Sequence, residues 1–311
     1  MSVASEGAST EPEMVSAAVV DGALVAGPIA DPPVPWWSYT KTVLAAAALV
    51  LVDAGKLTLD DPLPGRPYTL RQLLQHRAGV PDYGGWKQYH DAVAAGGSPW
   101  SVEELLDRSR ILRSFAPEAT WMYSNIGYLF VRQLIEETAQ EPIGEALMRL
   151  VLAPLEICSV TLAVTPADLA ATRWGNPSGY HPGWVFHGLL LGPPAQAALL
   201  LDGLMRGELL SPALRAAMRM PFAIPVAPAA NAIPLESARP WLAPGYGLGL
   251  MIETAAGAEA FMGHSGEGTT NAAVYHFPTR RPAVTVGVFA PTTNIALIEQ
   301  RAVALARSPR S

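Results

Sequence analysis

The sequence predicts an α+β fold: an antiparallel β-sheet flanked by N- and C-terminal helices and interrupted by a largely helical inserted domain. Three observations predict it. Short β-rich apolar runs stand near both ends of the chain, while helix-forming stretches dominate the middle. The 311 residues, half of them hydrophobic and only 15% charged, are ample for a buried core and exclude a disordered or collagen-like chain. Residues 1–55 and 191–311 are assigned to the sheet domain and 56–190 to the helical insertion.

Val15–Val20 and Ala23–Ala26 flank Asp21-Gly22, which suits a type I′ turn and predicts a hairpin. After the proline-rich Pro28–Pro35 a helix is expected over Ser38–Ala54, with Ser38 as cap, an Ala- and Leu-rich interior and Gly55 as stop. It is hydrophobic all round and therefore buried, but its apolar run, Val43–Val52, falls short of the roughly 20 residues that span a membrane. A short helix fits Leu70–His76, and another starts at Ser101, where Glu104 is placed to complete a capping box. Further helices fit Ile126–Ala139, Ile143–Leu152 and Ala195–Arg206. From Gly245 the runs YGLGLMIET, EAFMG, NAAVYHF and AVTVGVFA predict antiparallel strands, and Asn294–Arg307 a closing helix.

Composition removes several function classes. Acidic residues outnumber basic ones, 27 to 21, so no surplus of positive charge is available for nucleic-acid phosphates. The single cysteine, Cys158, excludes an intramolecular disulfide and is expected to be a small buried hydrophobe. No metal or other cofactor is expected, because His76, His90, His181, His187 and His276 show no ligand spacing; His76 is expected to organise its loop. The opening MSVASEGASTEPEMVS lacks both a basic n-region and an apolar h-region, so a cytoplasmic location without membrane association is expected.

Three short motifs carry chemistry. Lys41, one of only three lysines, lies three residues after Ser38, a spacing expected by chance about 0.16 times in this chain. On a helix the two share a face, and a lysine inside an apolar run is desolvated, which lowers its pKa and fits it to accept a proton. A capping serine beside a snorkelling lysine is the alternative. Tyr123-Ser124-Asn125 offers a tyrosine that a nearby lysine would acidify, with Asn125 hydrogen-bonding the lysine or the substrate; a helix-capping turn is the alternative. Gly263-His264-Ser265-Gly266 falls between predicted strands, where it can bring backbone close to a substrate or simply form a β-turn. Trp174, Tyr180, Trp184, Phe186 and Trp241 lie in Gly/Pro-rich segments, as loop-packing anchors or as the border of a pocket.

Ser-x-x-Lys, Tyr-x-Asn and His-x-Gly in this order resemble the serine penicillin-recognising superfamily, in its branch of class C β-lactamases, D-alanyl-D-alanine peptidases and β-lactamase-like family VIII esterases. Leu51–Leu63 (LVDAGKLTLDDPL), Leu73–Tyr83 (LLQHRAGVPDY), Ala116–Leu129 (APEATWMYSNIGYL) and Ala153–Leu155 extend the resemblance. It implies a β-lactamase/transpeptidase-like fold, Ser38 as acylated nucleophile, Lys41 as its proton partner, Tyr123 as general base and Asn125 as substrate ligand. The oxyanion hole would be the backbone N–H groups of Ser38 and Glu267, the latter following His264-Ser265-Gly266. Two departures stand out. Trp36 and Trp37 before Ser38 suggest a bulky aromatic wall to the pocket, and His264 replaces the lysine that β-lactamases prefer, which weakens recognition of a carboxylate. The expected function is a serine hydrolase cleaving a small-molecule ester or amide through an acyl-enzyme on Ser38. The alternatives are a β-lactamase or D-amino-acid peptidase, disfavoured by the expected cytoplasmic location, and a catalytically silent binding or assembly protein of the same fold.

Overall fold

The two apolar ends of the chain meet in one sheet. The computed structural model describes residues 12–112, 114–224, 239–257 and 259–309; most of the opening segment discussed above lies outside them. β1 (Val15–Val20) and β2 (Ala23–Ala26) form the expected hairpin, with Asp21 and Gly22 both at positive φ as a type I′ turn requires. β3 (Val34–Pro35), a 3₁₀ turn at Trp37–Tyr39 and α1 (Thr40–Asp53) follow. The helical stretch supplies α2 (Leu70–Leu74), α3 (Lys87–Ala94), α4 (Val102–Ser109), α5 (Asn125–Ala139) and α6 (Ile143–Leu147), the last running into a π turn at Met148–Leu152. β4 (Thr161–Leu162), α7 (Pro166–Ala170), a 3₁₀ turn at Pro182–Trp184 and β5 (Leu190–Gly192) lead back to the sheet. The remainder comprises α8 (Pro194–Arg206), α9 (Pro212–Met218), β6 (Phe222–Ala223), β7 (Pro244–Tyr246) and β8 (Met251–Glu253). It ends with β9 (Met262–Glu267), β10 (Asn271–Phe277), β11 (Val284–Ala290) and α10 (Ile295–Arg307).

The large sheet is antiparallel in the order β2-β1-β11-β10-β9-β8-β7-β6, so the first and last strands are neighbours, in register from Val15↔Phe289 to Val20↔Val284. Successive strand side chains point to opposite faces. Val284, Val286 and Val288 of β11 therefore pack with Ile298, Ala302 and Leu305 of α10, while Gly287 faces Pro194 and Ala198 of α8. Both faces are covered, which is why these strands read as nearly continuous apolar runs rather than clean alternation. α1 is buried along nearly its whole length and shares its core with α5, α8 and the inner strands.

Three local expectations are corrected. Ser38 is not a helix cap: it sits in the 3₁₀ turn, and α1 begins at Thr40 without a side-chain cap. Ser101 does accept the Glu104 N–H at 3.1 Å, but the Glu104 carboxylate turns to Arg108 rather than completing a capping box. A complete box is formed by Thr69 with Gln72, at the start of α2. Cys158 is exposed, because its neighbours Ile157 and Val160 take the buried positions in that loop. A second sheet, β3-β5-β4, has strands of two or three residues, too short to leave a periodic trace in the sequence.

Candidate active site

The three motifs meet around one cavity of about 710 Å³, whose lining includes Trp37, Ser38, Tyr123, Asn125, His264 and Glu267. The turn that presents Ser38 is strained. Trp37 adopts φ 45°, a conformation that costs a bulky residue on the order of 1–3 kcal/mol. Its ring offsets this by packing with Val185, Leu189 and Leu191 while its indole N–H donates to Thr270 Oγ1 at 2.9 Å. The turn also sends Trp36 the opposite way. Trp36 is wholly buried in the main core and donates to the Gly192 carbonyl at 3.1 Å, so of the expected aromatic pair only Trp37 walls the cavity.

Lys41, one turn further along and 0% exposed, is the centre of the site. Its Nζ lies 3.1 Å from Ser38 Oγ, 2.8 Å from Asn125 Oδ1 and 3.2 Å from His187 Nε2. Burial lowers its pKa from 10.5 to about 7, although the negative field of Asp82 opposes the shift. Tyr123 shares a hydrogen bond with the Ser38 side chain and has its ring centroid 4.9 Å from Lys41 Nζ. The expected acidification of this tyrosine is not found. Burial outweighs its neighbours and raises its pKa, so the phenol keeps its proton while the amine of Lys41 is half neutral near pH 7.

Two residues that no motif pointed to, His76 and Asp82, hold the second motif in place. Ser124 caps α5, accepting the Gly127 N–H at 2.8 Å, and its own N–H donates to His76 Nδ1 at 3.0 Å. The His76 ring, 4.3 Å from that of Tyr123, thus does more than organise its own loop. Asp82 Oδ1 accepts both the backbone N–H and the side-chain N–H of Asn125, at 2.8 and 3.0 Å, which fixes the amide with its oxygen toward Lys41. His187 completes the set of Lys41 partners. Asp82 and His76 lie within the resembling stretch Leu73–Tyr83; for His187 the sequence carries no local signal.

The third motif is not a turn. Gly263 to Glu267 lie in β9, paired with β10. A Cβ on Gly266 would come within 2.8 Å of the Ser38 nitrogen and the Trp36 carbonyl, so only glycine lets this strand lie against the Ser38 turn. His264 is buried, with Nε2 2.8 Å from the Tyr246 hydroxyl, and burial together with the positive field of Lys41 lowers its pKa to about 3. At that value the ring carries no charge near pH 7. A permanent cation nevertheless borders the cavity: Arg239 donates to Ser265 Oγ at 3.3 Å while gripping Glu299 with two N–H groups at 2.6 and 2.8 Å. Of the other aromatics, Tyr180 borders the cavity; Trp184 and Phe186 are core residues, and Trp241 donates to Glu299.

A family model described as Beta-lactamase matches residues 7–303. The chain belongs to this family. It is 32% identical over 114 residues to penicillin-binding protein 4* of Bacillus subtilis, a match covering 33% of this chain and 24% of that protein, and the curated relatives are matched over about a quarter of their length. A D-stereospecific amidohydrolase from Streptomyces sp. shares the fold at a TM-score of 0.72 and 22% identity, over 96% of this chain and 94% of its own. A D-amino acid amidase from Ochrobactrum anthropi SV3 does so at 0.73 and 18%, over 95% of each. The α+β fold with its antiparallel sheet is that of these proteins. Among the described residues, no helix of this beta-lactamase family member is long and apolar enough to cross a membrane, and no three His, Cys, Asp or Glu side chains are grouped as metal ligands.

Proposed function

We propose that this beta-lactamase family member is a serine hydrolase that cleaves a small-molecule ester or amide through an acyl-enzyme on Ser38. The observation that carries this reading is the buried Lys41 amine, 3.1 Å from Ser38 Oγ and with its pKa near 7, a base able to take the hydroxyl proton near neutral pH. A catalytically silent binding protein would gain nothing from burying a lysine without a carboxylate partner.

In acylation, Ser38 Oγ attacks the substrate carbonyl as its proton passes to Lys41. The Tyr123 hydroxyl, bonded to Ser38, then delivers a proton to the leaving amine or alcohol and is reprotonated from Lys41. In deacylation water attacks the ester, loses its proton to the same pair, and Ser38 recovers it. The Ser38 and Glu267 backbone N–H groups are proposed to receive the developing oxyanion, in keeping with the close approach of β9 to the Ser38 turn. Asn125 would orient both Lys41 and the substrate, and Trp37 and Tyr180 would give apolar surface to the acyl or leaving group.

The amide substrates in the names of the Streptomyces and Ochrobactrum proteins support an amide or ester as the substrate class. A second reading, a substrate bearing a carboxylate as in a D-amino-acid peptidase or β-lactamase, is favoured by Arg239, which borders the cavity and donates to Ser265 Oγ while its charge is paired with Glu299. The test is intact mass with p-nitrophenyl butyrate, D-aminoacyl amides and nitrocefin side by side. One acyl group on Ser38, absent from Ser38→Ala, is expected; attachment at another residue overturns the assignment.

A further inference from the structure

His187 lies in the short link between the Pro182–Trp184 turn and β5, distant along the chain from every motif. Its backbone is clamped. Arg132 Nη1 donates to the Phe186 carbonyl at 3.3 Å, the Gly188 N–H donates to the Val185 carbonyl at 2.7 Å, and two residues on, the Leu190 N–H donates to Thr40 Oγ1, next to Lys41. The imidazole is 2% exposed, reaches the cavity and places Nε2 3.2 Å from Lys41 Nζ; its Nδ1 meets no hydrogen-bonding atom of the described residues.

The hydrogens of a neutral lysine decide what this contact does. A neutral amine has two N–H bonds and one lone pair. One N–H goes to Asn125 Oδ1, because Asp82 holds the other end of that amide. If a second acceptor takes the remaining N–H, the lone pair is left for the Ser38 hydroxyl. We propose that His187 is this acceptor, a positioning residue whose Nε2 takes a Lys41 N–H and so aims the lysine lone pair at Ser38 Oγ. The proposal rests on the acyl-transfer reading above.

The choice of imidazole has a physical reason. A carboxylate at 3.2 Å would hold Lys41 as an ammonium, unable to accept a proton, whereas a neutral ring nitrogen accepts without adding charge. Burial holds the His187 pKa well below its ordinary value, and the positive fields of a protonated Lys41 and of Arg132 act in the same direction. The other titratable groups facing the pair are Asp82 from the loop after α2, His76 at the end of α2, Tyr123 before α5, Tyr128 on α5 and His264 on β9. Asp82 is the acid among them, and its oxygens are occupied by Asn125 and the Gly84 N–H.

The test is the rate at which a fluorophosphonate labels Ser38, read by intact mass from pH 5 to 9. In that step the Oγ–P bond forms, fluoride leaves and the serine proton passes to Lys41, so the rate reports nucleophile activation without knowledge of the natural substrate. His187→Leu keeps bulk and removes the acceptor; His187→Gln places an amide oxygen near the Nε2 position. His187→Leu is expected to lower the limiting labelling rate about 10- to 100-fold with half-saturation unchanged. It should also move the acidic limb to lower pH, since the ammonium loses a partner, while His187→Gln stays within about threefold of wild type with the limb unmoved. A purely packing role reverses the order, with Leu tolerated and Gln impaired. That order, or a folded His187→Gln variant slowed more than tenfold, overturns the proposal. Absence of labelling on wild-type Ser38 would instead overturn the acyl-transfer reading.

Discussion

Lys41 and Glu299 are both 0% exposed, yet their surroundings are opposite. Glu299 receives four donors: two N–H groups of Arg239, the Trp241 indole at 3.1 Å and the Tyr275 hydroxyl at 2.8 Å. Burial alone would lower the Arg239 pKa, but the bonds to Glu299 and its charge outweigh it and raise the value. Lys41 has an amide, a hydroxyl and an imidazole, all neutral, and its nearest carboxylate, Asp82, acts on it only across Asn125. A buried charge that is fully met joins β9, β10 and α10 into one unit. One that is not met has its proton affinity lowered, and that is where the proposed chemistry is placed.

The largest effects break the under-paired centre. Lys41→Ala and Tyr123→Phe should each cost several powers of ten in kcat, and the double mutant far less than the product of the two, because residues acting as a unit are not additive. Multiplying losses would show two separate roles. Lys41→Arg should not rescue, since a guanidinium keeps its proton. In wild type, kcat/KM should rise as pH passes upward through about 7, where the ammonium becomes the free amine, and level off above it; a limb near 10 would mean that Lys41 is not desolvated.

Next in size is the paired cluster. Glu299→Ala leaves the Arg239 guanidinium and two further donors without their acceptor and should cost about 3–5 kcal/mol in urea unfolding. A loss below 1 kcal/mol would remove the contrast. Lys41→Met should act in the opposite sense and stabilise by about 1–4 kcal/mol at pH 6. The folded pKa lies below the ordinary value of 10.5, so the unfolded chain binds the proton better; the penalty is complete below about pH 7 and fades as pH rises toward 10. The gain from Lys41→Met must therefore shrink over that window, and a pH-independent difference would point to packing alone. Arg239→Lys is the gentlest probe: the charge stays, the two-pronged grip on Glu299 is lost, and about 1 kcal/mol of stability should go with it.

Legibility followed the range of the interaction. The Ser38–Lys41 spacing is one helical turn, and the hairpin, α5, α8 and α10 were readable because turn chemistry, caps and apolar period are local properties. The third motif, expected between strands, lies within one, because its glycines serve close approach to the Ser38 turn, which the sequence cannot distinguish from a bend. Trp36 and Trp37, adjacent and identical, part company only because the backbone at Trp37 turns into the left-handed region.

The sequence by itself determined the α+β class, the order of the three motifs and the pairing of a serine with a lysine inside an apolar helix, since each follows from composition and short-range spacing. The tertiary structure alone decided that His187, 146 positions away, meets Lys41, and that Asn125, 84 positions away, turns its amide oxygen to the lysine. It also decided that Asp82 orients rather than neutralises, and that Arg239 brings a charge to Ser265. A proton affinity is set by desolvation and by neighbours within a few ångströms, and those neighbours are chosen by packing, not by position in the chain.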